Sequence, residues 1–132
     1  MDYVLEWHIP KRVLLVKLSG DVSLEDLEQF NGDMIRFIEQ GIAPVHLVSL
    51  ADNIRHVPTN LMRIKQIVTY LQHPNMGWMI IVQEKPNPLT GFMVSVATQA
   101  AGMKMRQVKS VDDSLETLRR IDLSLGNDVT LV

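Results

Sequence analysis

The chain contains no cysteine, which excludes disulfides, thiolate zinc sites, iron–sulfur clusters and cysteine nucleophiles together, and suits a reducing compartment. It also lacks a basic field. Lys and Arg number 13 against 15 Asp and Glu, a net charge of −2, and the two signs are interspersed, so no surface able to neutralise a run of phosphates is expected and nucleic acid is not an expected partner. Long apolar runs are missing as well. The longest charge-free stretch, residues 86–103, carries Thr90, Gly91, Ser95, Thr98, Gln99 and Gly102, too much polarity for a spanning helix. The opening "MDYVLEWHIPKR" has no basic segment followed by an apolar core, so no signal peptide is expected. A soluble, cytoplasmic protein without a transmembrane segment follows as the expectation.

Catalytic signatures are absent too. Ser49 and Ser95 lack the Gly-x-Ser-x-Gly setting of a nucleophile elbow, and no glycine-rich loop is present to cradle a phosphate. The four histidines, His8, His46, His56 and His73, fall in different segments without metal-ligand spacing. His46 lies inside an apolar stretch and reads as a hydrogen-bonded structural residue. His56 follows that stretch, at the sheet end where α/β folds bind their ligands, and is the stronger functional candidate. No enzyme, cofactor, metal or catalytic residue is expected.

What is present describes one domain. The chain has 132 residues, 46% apolar and 21% charged, enough to bury roughly two thirds of the surface its unfolded form exposes. No internal repeat or linker divides it. "YVLEWHI" (3–9) and "RVLLVKLSG" (12–20) read as strands joined as a hairpin across Pro10 and Lys11. "SLED" at 23–26 is a near capping box for a helix carrying Leu24, Leu27, Phe30, Met34, Phe37 and Ile38 at helical spacing, stopped by Gly41. Asp21, Glu25, Asp26 and Glu28 read as acidic capping of that helix, not as a catalytic pair. "PVHLVSL" (44–50) is an apolar strand suited to a central position. The loop "ADNIRHVP" leads to a second helix with Leu61, Ile64, Val68 and Leu71 inward, closing at "QHPN". "WMIIVQ" (78–83) is a parallel-type strand. Asn87 and Pro88 open a third helix bearing Leu89, Phe92, Met93, Val96, Ala97 and Ala100 on one side. "KMRQVK" (104–109) reads as an edge strand, and "SVDDSLETLRRID" as a final capped helix with Leu115, Leu118 and Ile121 inward. Residues 123–132 are expected to fray. The order β-β-α-β-α-β-α-β-α implies a mixed, mostly parallel sheet of about five strands with about four helices.

"RVLLVKLSGDVSLEDLEQF", "PVHLVSLADNIRHVPTN" and "VDDSLETLRR" resemble, in turn, the strand and acidic approach to the first helix, the third strand with its following loop, and the closing helix of the STAS domain family. This is the fold of sulfate transporters and anti-sigma factor antagonists, and the likeness is to its small stand-alone bacterial members over about residues 3–122. The resemblance implies a non-enzymatic, regulatory protein-interaction module whose partner is a protein such as an anti-sigma-factor-like kinase. In anti-sigma factor antagonists the loop after the third strand ends in a pattern like Asp-Ser-Ser-Gly, which holds the phosphorylated hydroxyl residue. Aligned without gaps, Pro58 takes the Asp place, Thr59 the first hydroxyl, Asn60 the second and Leu61 the glycine. Asn60 cannot accept a phosphate, so the switch motif is degenerate, and Thr59 is left as the phosphoacceptor candidate. Its first reading is nevertheless structural, as the N-cap of the second helix, and the two roles do not exclude each other.

The partner surface expected from this comparison comprises Asn53, Arg55, His56, Thr59, Asn60 and Arg63. A second surface comes from the eight methionines and the small residues of "TGFMVSVATQAAG". Phe92, Met93, Val96 and Met103 there could serve a homodimer or an apolar, lipid-like ligand. A small-ligand carrier with a pocket beside the third helix is therefore the competing reading.

Overall fold

A computed structural model describes residues 1–84 and 104–126. Strands β1 (Asp2–Ile9) and β2 (Val13–Asp21) form an antiparallel hairpin. Helix α1 (Leu24–Gln40) leads to β3 (Val45–His56), and α2 (Leu61–Ile67) with a 3-10 turn (Tyr70–Gln72) leads to β4 (Met76–Val82). Strand β5 (Met105–Val108), α3 (Val111–Ile121) and a 3-10 turn (Leu123–Leu125) complete the order. The five strands lie in the order β1-β2-β3-β4-β5, with every pairing after the first parallel. This is the mixed α/β sheet with an N-terminal hairpin that the element order predicts. Among the described residues there are three α-helices. The helix expected from Asn87 onward, with Phe92, Met93, Val96 and Met103, lies outside them, as do residues 127–132.

The near-continuous apolar strands are explained by a core on each face of the sheet. Leu14 and Val16 of β2, Val45 and Leu47 of β3, and Met79 and Ile81 of β4 meet Leu27, Phe30, Met34 and Ile38 of α1 and Ile64 and Ile67 of α2. The alternate residues Val13, Leu15, Val48, Ile80 and Val82 meet Leu118 of α3 and Leu125. Alternation along each strand therefore places apolar side chains on both sides. Successive parallel strands with right-handed crossovers put α1 and α2 on the same face, and α3, which follows the last strand, closes the other.

Local chemistry sets the helix starts. Ser23 accepts from the Asp26 N–H at 3.1 Å while the Asp26 carboxylate accepts from the Ser23 N–H at 2.9 Å, a reciprocal box that satisfies two otherwise free donors. Ser110 caps α3 by accepting from the Asp113 N–H at 3.1 Å.

Four expectations are corrected. Strand β3 runs on to His56 instead of ending at Leu50, because Ser19, Gly20 and Asp21 of β2 continue to pair with Asn53, Ile54 and His56. The cap of α2 is Asn60, not Thr59: the Asn60 side chain accepts from the Arg63 N–H at 3.1 Å. Helix α2 is also shorter than its apolar spacing suggests. Asn31 of α1 receives the Thr69 and Tyr70 N–H groups on its Oδ1, both at 2.8 Å, which gives those donors a partner outside the helix and turns the chain after Val68. Leu61, expected inward, is 39% exposed at the start of α2, while Leu71 is buried from the 3-10 turn. Finally, residues 123–126 do not fray, since Leu125 is buried and the Asp122 side chain holds the turn through the Ser124 N–H at 2.9 Å.

Candidate functional site

The region expected to bind a partner lies where β2 and β3 end and α2 begins. Gly20, at φ +86, takes the left-handed backbone that only glycine adopts freely, and so delivers Asp21 to the end of β3. The Val22 N–H donates to the His56 carbonyl at 2.9 Å, which ties the two strand ends together. In consequence the Asp21 carboxylate lies 2.8 Å from His56 Nδ1 and 3.6 Å from Arg55 Nε. The hydrogen bond with His56, helped by the charge of Arg55, holds the Asp21 carboxyl below the ordinary carboxylate range. Asp21 is therefore no cap of α1, as its place in the acidic cluster suggests. It is an exposed anchor for His56 and Arg55. The sequence contains a signal for this only in retrospect: a Gly-Asp pair directly after an apolar strand.

All six expected contact residues are exposed, but the structure divides them. Arg55 and His56 are joined through Asp21. Asn60 and Arg63 are joined through the α2 cap, and Arg63 also donates to Gln66 Oε1 at 3.2 Å. Thr59 directly precedes the cap and is exposed. Asn53 pairs with Ser19 and lines a separate hollow of about 350 Å³ beside Lys17 and Asp2. The most exposed large apolar side chain of the region was not anticipated: Met62, 74% exposed, next to Leu61. Helix α2 carries Arg63 and Lys65 and no acidic residue, so the surface offers an apolar tip within a cationic setting.

Acid–base chemistry has little to work with here. His56 and Asp21 form a pair, but no hydroxyl hydrogen-bonds to the imidazole among the described residues. The second histidine–carboxylate pair lies at the other end of the sheet. His46, 1% exposed, has Nδ1 accepting from the Trp78 N–H at 2.9 Å and Nε2 2.8 Å from Asp122. The backbone donor fixes the tautomer, so Nε2 carries the proton and donates it to the carboxylate. With both nitrogens engaged the ring cannot take a proton from a substrate, and burial lowers its pKa further despite the nearby carboxylate. This is the structural role anticipated for His46. Among the described residues no cluster of His, Asp and Glu could hold a metal ion, and no helix is long and apolar enough to cross a membrane.

No protein-family model matches the sequence, and no curated protein does. Solved structures are similar in fold. The unphosphorylated form of the anti-sigma factor antagonist SpoIIAA superposes with a TM-score of 0.60 at 14% identity, covering 89% of this chain and 98% of that one. The phosphorylated form of the Bacillus cell fate determinant SpoIIAA gives 0.56 at 12% identity, over 89% and 100%. The fold is therefore the STAS fold of SpoIIAA, as the strand and loop segments suggest.

Proposed function

We propose that the chain is a non-enzymatic regulatory module of the anti-sigma factor antagonist type, which docks a protein partner through the end of β3 and helix α2. The observation that carries this reading is Met62, 74% exposed on a seven-residue helix that also presents Arg63 and Lys65. An exposed apolar anchor beside cations that no carboxylate meets among the described residues is an arrangement that interfaces use. The apolar group supplies the desolvated centre, and the charged rim sets orientation and encounter rate. The complementary partner has an apolar socket for Met62 flanked by carboxylates that meet Arg55, His56 and Arg63. The fold supports the same reading, since SpoIIAA is an anti-sigma factor antagonist.

Thr59 is the phosphoacceptor in this proposal. Its hydroxyl is not spent on capping, because Asn60 performs that task, and a phosphate there would change the charge met by the partner next to Arg55 and Arg63. The partner in that case is a kinase acting on this loop.

Cross-linking of tagged protein in lysate of its native host, followed by mass spectrometry, tests the surface. The expected result is one partner cross-linked through α2 and lost from a Met62→Glu, Arg63→Glu variant that keeps its circular dichroism spectrum. A partner retained by that variant would refute the assignment. Intact-mass measurement on native protein tests the phosphate separately: an increment absent from Thr59→Ala supports it, and an unmodified mass in every growth condition removes it.

A further inference from the structure

The two edges of the sheet are built differently. Strand β5 has four residues, lies between Lys104 and Lys109, and stacks the Arg106 guanidinium on the Trp78 ring at 4.7 Å. Short length and positive charge are devices that keep an edge from pairing with another chain. Strand β1 has none of them. It is eight residues long, contains no lysine or proline, and stays in regular register with β2 from Asp2 to Trp7. Its only irregularity falls between Trp7 and Ile9, just before Pro10. Among the described residues nothing pairs with its outer edge.

We infer that this edge pairs with the same strand of a second copy, joining two sheets antiparallel about a two-fold axis at Leu5. The register follows from charge. Residues of one parity in β1 point their backbone groups at β2 and those of the other parity point outward, so a two-fold pairing must match like parity with like. Three such registers overlap most of the strand. Centred on Val4, Asp2 would face Glu6 of the second copy. Centred on Glu6, that carboxylate would face itself. Both place like charges directly opposite, which destabilises a sheet. Centred on Leu5, Val4 faces Glu6, Tyr3 faces Trp7, Leu5 faces Leu5, and Asp2 comes beside His8, the residue that the bulge between Trp7 and Ile9 leaves without a partner in β2. The carboxylate of Glu6 is already accompanied by Lys17, 3.6 Å away, so Val4 meets the stem of that side chain.

The faces agree with this register. Asp2, Val4, Glu6 and His8 are the exposed side of the strand, and Val4 stands 51% exposed there, one of the few large apolar side chains so placed. Tyr3, Leu5 and Trp7 pack against the α1 core on the other side. Pairing would set a carboxylate against an imidazole twice on the outer face and two aromatic pairs on the inner one, where cross-strand aromatic contacts are favourable. The β1 edge is distinct from α2, so dimerisation leaves Met62 and Arg63 free.

Analytical ultracentrifugation of the full chain across concentration should show a reversible dimer. His8→Glu puts like charges opposite at both symmetric positions, and Asp2→Lys removes both attractions, so each is expected to weaken the dimer about tenfold. The double variant Asp2→Lys, His8→Glu restores opposite charges and the dimer. Because the chain has no cysteine, Leu5→Cys should cross-link under mild oxidation while Lys17→Cys should not. A monomer at every concentration would overturn the inference, and so would a dimer indifferent to these charges or cross-linked equally from both cysteine positions.

Discussion

His46 and Asp122 are hydrogen-bonded at 2.8 Å across 76 positions of sequence, and their bond closes the C-terminal segment onto the start of the central strand. Arg12 adds to the closure, donating to Asp122 at 3.0 Å and to Ser124 at 2.9 Å. The cluster is a clasp between the loop before β2, the first residues of β3 and the end of α3.

The clasp makes stability depend on pH in a definite direction. Burial keeps His46 neutral in the folded protein and lowers its pKa, whereas the unfolded chain takes up that proton below about pH 6.5. The unfolded state then binds more protons, so this contribution is complete above about pH 6.5 and is lost as pH falls toward the lowered folded value. For Asp122, burial raises the carboxyl pKa, but hydrogen bonds from Ser124 and His46 outweigh it and bring it down to about 2. Its contribution, about 2 kcal/mol, is present above the ordinary carboxylate value of 3.8 and lost between there and about 2. Thermal melting from pH 8 to about pH 2 should show Tm falling in two stages. A Tm unchanged between pH 7 and 5 would contradict the role given to His46.

Gly77 leaves room for the same imidazole. A Cβ at that position would stand 2.5 Å from His46 Nδ1, 2.7 Å from its Cε1 and 3.1 Å from Pro44 Cβ. The ring is held at both nitrogens and cannot move aside, so Gly77→Ala should cost about 1–3 kcal/mol in urea unfolding. The cost should shrink when His46→Ala is present, because the two changes share one space. Additive losses would show that the ring is not the obstacle.

The cap of α2 distinguishes neighbouring residues. Asn60→Ala should lower stability by about 1 kcal/mol, while Thr59→Ala should stay within about 0.5 kcal/mol of the parent. Chemical denaturation of the two variants decides it, and the opposite ranking would return the cap to Thr59.

Asn31 reaches from α1 to the segment that follows α2. Besides the two backbone donors on its oxygen, its Nδ2 donates to Thr69 Oγ1 at 3.0 Å. Asn31→Ala leaves the Tyr70 N–H without its acceptor and the Thr69 N–H with the Ile67 carbonyl alone, and should cost about 1–3 kcal/mol. The Thr69 N–H also donates to the Ile67 carbonyl at 3.0 Å, so hydrogen exchange should accelerate most at the Tyr70 amide; unchanged protection there would show that Asn31 is not its acceptor.

Strand and helix content was legible because it is written in local periodicity. Leu27, Phe30, Met34 and Ile38 repeat at helical spacing and are all buried, and the serines at 23 and 110 cap the helices they precede. The candidate site was legible only as a region. Arg55 and His56 could be placed after the central strand, but their anchor Asp21 is 35 residues from His56 and reads locally as an acid near a helix start. Met62 escaped notice because helical spacing takes no account of where a helix ends against its neighbours.

The sequence by itself determined the alternation of strands and helices, their amphipathic faces and the helix starts, because these depend on backbone geometry and residues within one turn of each other. It also determined that thiol chemistry is impossible. Only the tertiary structure decided that α2 stops at Ile67, that β3 extends to His56, that Asn60 caps in place of Thr59, and that His46 is closed to catalysis by Trp78 and Asp122. Each of these turns on a hydrogen-bond partner brought in from a distant segment, or on which neighbour claims a donor first. Such competition is settled by packing, to which spacing along the chain is blind.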